Sequence, residues 1–195
     1  MKNLQVEILV EEPSMKNFLG NILPQILPDG IFLNRNCFIR PHEGKQHLKK
    51  EIPQKIRAYK NFRIPIKVII IHDQDTADCK ILKAGLKKLV NDAGPIPHLI
   101  RIPCRELEAW YLGDMDAIER VYPRFKADHF RRWAKFRDPD HLMASEELRK
   151  LIPGFQKGYA SREISKHIQI NKNRSKSFHH LIDGLTVFLR NANKV

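Results

Sequence analysis

The chain has 195 residues and a mass of 22.8 kDa, enough for one full hydrophobic core or one core with a modest appendage, and too little for two large independent domains. Apolar residues make up 42% and charged residues 29%, which excludes wholesale disorder, collagen and a disulfide-stapled miniprotein. The charge is less ordinary: 35 Lys and Arg against 22 Asp and Glu give +13, an excess that favours polyanions, nucleic acid foremost, among partners. It is not a basic tail, since residues 1–112 hold 18 basic and 12 acidic side chains and the remainder holds 17 and 10. A generally basic surface that only aids solubility is the alternative.

Cys37, Cys79 and Cys104 are odd in number, far apart and without a CxxC pair, which fits reduced thiols in a cytoplasmic protein. Acidic residues come too early in MKNLQVEILVEE for a secretory signal. The longest pure aliphatic run, Val68 to Ile71, falls far short of the roughly 18 residues a membrane span needs. No membrane association is expected.

In chain order, Leu4 to Val10 reads as a strand that breaks at Glu11, Glu12 and Pro13 into a helix with Met15, Phe18, Leu19 and Ile22 at helical spacing. Residues 31–40 fit a second strand. Residues 45–60 place Leu48, Ile52, Ile56 and Tyr59 on one helical face, with Pro53 a candidate kink. IKVIII at 66–71 is a continuous β-branched run of the kind buried on both faces of a parallel sheet. Residues 76–92 form an amphipathic helix with Ile81, Leu82, Leu86, Leu89 and Val90 inward. PHLIRIP at 97–103 is a fourth strand, followed by helical RELEAWYL. This alternation predicts an α/β fold: an open parallel sheet of about four strands flanked by helices over residues 1–112, with a basic helical extension over 113–195 packed on it.

In such a sheet, ligands bind beyond the carboxyl ends of the strands, near the point where strand order reverses. Glu11 and Glu12 follow the first strand, Asp73, Asp75 and Asp78 the third, and Glu106 and Glu108 the fourth. Carboxylates brought within about 4 Å repel by roughly 1 kcal/mol in water and about 4 kcal/mol at an effective dielectric near 20. A cation removes that cost. Mg2+, or Mn2+ in its place, takes oxygen ligands from one or two carboxylates, water and substrate phosphate; an extended Asp73-x-Asp75 presents both side chains on one side. No His or Cys spacing resembles a zinc site. Taken singly, each carboxylate is accounted for by capping or solvation: Asp75 suits a cap for a helix near Thr76, and Glu11 or Glu12 suits the positive end of the next helix. Joint placement at three strand ends favours a site. Asp78 is read as structural.

At these residues the chain resembles the Toprim fold of topoisomerases and primases: LVEEPSMKNFL is similar to its first motif, a Glu after the first strand, and IIIHDQD to its DxD. More closely, VEEPS, HEGKQHL, HDQDTADCKILKAGL, RIPCRELEAWYLGD, RDPD and RSKSF resemble, in order across residues 10–178, the bacterial Toprim-like family described as domain of unknown function 4276. The resemblance implies a divalent-metal site acting on phosphodiesters, as in the overcoming-lysogenization-defect nucleases. Glu11 then matches the glutamate that holds metal or acts as general acid or base, Asp73 and Asp75 the metal-binding DxD, and Glu106 and Glu108 a second metal position. It also implies a phage-defence setting beside an ATPase partner. Glu12 stands where the family has glycine, and Met15 where an acidic residue is usual.

The basic segments suggest phosphate contacts. Lys172, Arg174 and Lys176 lie in a run, ASREISKHIQINKNRSKSFHHL, with Glu163 its only carboxylate. Lys45 follows Gly44 at a helix start. Arg101, inside an apolar strand, requires an acidic or phosphate partner; a salt bridge to Glu106 or Glu108 is the alternative. HFRRWAKFR interleaves aromatic and basic residues, a pattern that fills a helical core more often than it stacks on bases. The expected activity is Mg2+-dependent hydrolysis of DNA or RNA. The alternative is a non-catalytic nucleic-acid-binding or regulatory subunit of an ATPase-containing complex.

Overall fold

The computed structural model describes residues 4–190. Four strands, β1 (Gln5–Val10), β2 (Cys37–Pro41), β3 (Ile66–Ile71) and β4 (His98–Arg101), form one parallel sheet in the order β2-β1-β3-β4. Val6 pairs with Cys37 on one side, Ile8 with Ile69 on the other, and Ile70 with Ile100. From β1 the chain steps outward to β2 and then crosses back to β3. Strand order therefore reverses between β1 and β3.

Each face of the sheet buries a different set of helices. Val6, Ile8, Val10, Ile69 and Ile71 pack under α1 (Pro13–Ile22), α4 (Glu108–Gly113) and α9 (Lys176–Arg190). Leu9, Val68, Ile70 and Ile100 pack under α2 (Lys45–Lys60) and α3 (Cys79–Ala93). The even–odd split along β3 explains why IKVIII is apolar at nearly every position: both of its faces are core. The one polar residue in it, Lys67, reaches the last turns of α9, where its ammonium donates to the Phe188 carbonyl at 2.6 Å.

Beyond β4 the described chain is helical. Between α4 and α9 lie α5 (Met115–Val121), α6 (Ala127–Arg131), α7 (Ala144–Leu151) and α8 (Lys157–Glu163), joined by short 3-10 turns. Their apolar residues, Ile118, Phe136, Leu148 and Ile164 among them, join the same core as α1 and the sheet. Two of the six motifs that carry the family resemblance meet here. Asp140 of RDPD is buried and accepts from the hydroxyls of Ser175 (2.6 Å) and Ser177 (3.0 Å) and from the Ser177 backbone N–H (2.9 Å) of RSKSF. It thereby satisfies one free N–H at the start of α9, and Ser175 Oγ accepts a second from Phe178. Trp110 Nε1 donates to Ser177 Oγ at 2.9 Å, tying ELEAW to the same knot.

Several local expectations are corrected. The second strand is only Cys37–Pro41, because Phe32–Asn36 turns back on it: the Cys37 N–H donates to the Phe32 carbonyl at 3.1 Å. The helix expected over 76–92 begins at Cys79, since Asp78 itself caps it, accepting from the N–H groups of Lys80 and Ile81. Ile81 then falls on the solvent side, 75% exposed, rather than inward. Helix α2 runs through Pro53 without a break.

Glu7, in the middle of β1, is a buried carboxylate satisfied on all sides. Arg40 grips it at 2.9 and 3.2 Å, Tyr59 donates its hydroxyl at 3.1 Å and Gln5 its amide at 2.7 Å. Removing Arg40 leaves the buried Glu7 charge short of its cation, but the Arg40 side chain is 47% exposed and solvent screens the pair. We expect Arg40→Met to cost about 1–2 kcal/mol by urea unfolding, and Glu7→Gln with Arg40→Met to cost less than Arg40→Met alone.

Candidate metal centre

Glu11 leaves the end of β1, and Asp73 stands two residues past the end of β3. Because β1 and β3 are neighbours, the Asp73 backbone N–H donates to Glu11 Oε2 at 3.3 Å. The two carboxylates thus share the crevice at the strand-order reversal. Burial, then the charges of Asp75 and Glu12, push Glu11 up to about 7, against smaller lowering by the Asp73 N–H and Lys45. Asp73 is pushed well above the usual carboxylate range by burial, then by Glu11, Glu108 and Glu12. It nevertheless keeps partial exposure, as a group on the floor of a cleft does.

His72 lies beneath this pair, 2% exposed. Its Nδ1 is 2.7 Å from the Asp73 carbonyl and 3.3 Å from Glu11 Oε2. Burial lowers its basicity, so the approach to Glu11 is that of a neutral ring whose Nδ1 proton is given to the Asp73 carbonyl, rather than an ion pair. With Nδ1 donating, Nε2 is a bare acceptor, buried and without a partner among the described residues. Tyr111 contributes a second such group: its hydroxyl is buried and unpartnered, and burial together with Glu108 and Asp73 raises it well above its usual range.

The remaining predicted acidic residues take other partners. Asp75 is not part of an extended DxD: its φ is +51°, and its carboxylate pairs with Lys45 Nζ at 3.1 Å while staying close enough to Glu11 to be the strongest charge acting on it. Two backbone contacts hold that turn, the Asp75 N–H donating to the Arg105 carbonyl at 2.8 Å and Arg105 returning a side-chain bond to the Asp75 carbonyl at 3.4 Å. Arg105 is itself left-handed, at φ +61°. Non-glycine residues in that region are strained and cluster at functional sites. Glu106 accepts from the Ser145 N–H at 2.6 Å. Lys157, at the start of α8, reaches both Glu106 (3.6 Å) and Glu108 (3.5 Å). Burial pulls the Lys157 ammonium down, but Glu108, Glu106, Glu12 and Asp73 outweigh it and leave it raised. Burial holds Glu108 up despite that lysine.

Lys157 was not signalled by the sequence: it lies some fifty residues past the carboxylates, next to the Pro153–Gly154 break, with no motif around it. Met15 packs in the core, 4% exposed, so an acidic side chain at that position would have faced apolar surroundings. Glu12, preceding Pro13, is extended at φ −138°, as its place before proline requires.

Of the basic candidates, only Lys45 joins the carboxylates. Arg101 finds neither Glu106 nor Glu108; its guanidinium donates to the carbonyls of His180 (3.1 Å) and Ile100 (3.2 Å). Lys172 and Arg174 line a depression of about 270 Å3 with Asp114, Asp116 and Arg131, where Arg174 donates to the Leu112 carbonyl at 3.4 Å. Lys176 opens α9, exposed.

Among the described residues no three His, Cys, Asp or Glu side chains stand together as a ready cage for a metal ion. Magnesium does not require one. It commonly takes one or two carboxylates and completes its octahedron with water and substrate oxygens, and the hard oxygens of Glu11 and Asp73 fit that role.

A family model described as "Domain of unknown function (DUF4276)" matches residues 10–186. The chain belongs to this family. No curated protein and no solved structure matches it. The DUF4276 match opens on Val10, at the end of β1, and closes within α9, so it takes in the five carboxylates, His72, Lys157 and the Asp140 knot.

The raised Glu11 has a direct consequence for stability. A carboxyl whose folded pKa exceeds its unfolded value binds protons more tightly when folded, so stability falls as pH rises from about 4.5 to about 7. Glu11→Gln removes that loss. Unfolding in metal-free buffer should show the variant more stable than wild type at pH 8, by on the order of 2–3 kcal/mol, with the gain gone at pH 4.

Proposed function

We propose that this DUF4276 protein is a Toprim-like, Mg2+- or Mn2+-dependent phosphodiester hydrolase acting on DNA or RNA, with Glu11 and Asp73 at its centre. The observation that carries the reading is the meeting of these two carboxylates at the strand-order reversal, both held above their usual range first by burial and then by neighbouring carboxylates, Asp75 and Glu12 acting on Glu11, and Glu11, Glu108 and Glu12 on Asp73. Such a pair is costly to keep without a cation, and the net charge of +13 supplies the field that draws a polyanion towards it.

Asp73 and Glu11 would hold the ion, with Asp75 available to join once it leaves Lys45. A bound Mg2+ supplies Lewis-acid polarisation of the phosphate and a more acidic water. The other roles belong to the chain. Glu11, poised near neutrality, can hold or release a proton at Oε2. His72, neutral and fixed by the Asp73 carbonyl, keeps Glu11 oriented. Lys45 stands at the mouth of the site, where its ammonium can exchange the Asp75 carboxylate for a phosphate oxygen. Glu108 and Glu106, balanced by Lys157, form an acidic wall behind Asp73 rather than an open second metal position.

A second reading, a nucleic-acid-binding or regulatory subunit without turnover, is favoured by one observation: Lys157 and Lys45 already pair with three of the five predicted carboxylates, Lys157 shared between two of them. Incubation with single- and double-stranded DNA and RNA in Mg2+ or Mn2+ separates the two. Cleavage by wild type that falls about 100-fold in Asp73→Asn, with circular dichroism unchanged, supports the hydrolase. Salt-sensitive binding with no cleavage under any of these conditions supports the subunit.

A further inference from the structure

The two edges of the sheet are finished differently. At β2, the Phe32–Asn36 turn covers the outer side: Leu33 bridges Cys37, the Asn34 N–H donates to the Cys37 carbonyl at 2.8 Å, and the strand ends on Pro41, which has no N–H. At β4 nothing equivalent is present among the described residues. The carbonyls of Pro97 and Arg101 accept from Val68 and His72, so odd-numbered residues of β4 face β3. Ile100, one residue out of step, turns its N–H and C=O to the open side. Among the described residues no backbone group pairs with the Ile100 or Ile102 N–H, and the Ile100 carbonyl is met only by the Arg101 guanidinium at 3.2 Å.

This bare edge lies in a groove of about 690 Å3 between α3 on one side and α9 on the other. Its walls are apolar along Leu99, Ile102, Val187 and Phe188, and Val187 is 60% exposed. Lys83, Arg101 and His180 line it against a single acidic residue, Asp183. Arg101 is partly buried and has no carboxylate within ion-pair distance among the described residues; burial lowers its basicity. Gly184 is what lets it lie there, since a Cβ at that position would fall 2.0 Å from the guanidinium.

We propose that the β4 edge receives an extended, acidic segment of a partner protein as a fifth strand, its main chain pairing with Ile100 and Ile102, its apolar side chains on Val187 and Phe188, and a carboxylate on Arg101. An unpaired edge at the floor of an apolar groove is the arrangement used in strand addition, where main-chain bonds give affinity and side-chain pockets give selectivity. Charge selects the occupant. Lys83 and Arg101, with Lys80 and Lys87 on the same helix as Lys83, favour an acidic segment and oppose a second copy, which would bring the same cations face to face.

The test is a blocked peptide alternating glutamate and valine, titrated into the full-length protein and followed by amide shifts and hydrogen exchange. Peptide-induced shifts and slowed exchange at Ile100 and Ile102, weakened about tenfold by Val187→Arg, bear the proposal out. Because Val187 is exposed, that substitution leaves folding intact, and it separates docking from charge attraction. Plain attraction would be strengthened by the added arginine, and that result overturns the proposal. So does an absence of change at the two amides. Protection of the same amides by concentration-dependent dimerisation without peptide also overturns it, in favour of a second copy.

Discussion

The arrangement of this molecule turns on two carboxylates of like charge held together where protein replaces water. Glu11 and Asp73 are not brought together by chance of side-chain placement. They extend from the ends of β1 and β3, whose ladder of β-branched residues is the most deeply buried part of the sheet. The fold therefore imposes burial and like charge that the nearby cations offset only in part: Lys45 and the Asp73 N–H lower Glu11 less than burial, Asp75 and Glu12 raise it, and His72 and the unpartnered Tyr111 hydroxyl add no charge.

Around this pair the protein places cations at the margins and not at the centre. Lys157 balances Glu106 and Glu108 from α8, and Lys45 balances Asp75 from the start of α2. Both lysines come from outside the β1–β3 junction. The gradient runs from a protonation-prone core of two carboxylates to a compensated rim, within a chain of large positive charge.

The architecture was legible because its signals are local. IKVIII admits only a doubly buried strand, and the helical spacing of Leu48, Ile52 and Ile56 has one reading. The rule that ligands gather at the ends of parallel strands singled out the carboxylates after three strands, but the strand order that sets Glu11 beside Asp73 was not legible, since it depends on contacts between segments some sixty residues apart. What could not be read depends on backbone conformation or on distant contacts. The left-handed turn at Asp75 carries that side chain to Lys45, although alternation along an extended DxD would have kept it beside Asp73. Lys157 and Ser145 reach the acidic wall from helices beyond residue 140, and Arg101 turns to α9 because Gly184 leaves room for it. RSKSF, basic in composition, is held by Asp140 through its serines, so its order in the chain reflects packing.

Carbon-detected side-chain NMR of Glu11, titrated with and without Mg2+, tests the central claim most directly. Burial at the β1–β3 junction, reinforced by the charges of Asp75 and Glu12, predicts titration near 7 in metal-free buffer and a fall towards the ordinary carboxylate range when Mg2+ is added. Titration close to 4.5 in both conditions would show that neither burial nor the neighbouring carboxylates hold Glu11 up and that no cation answers it.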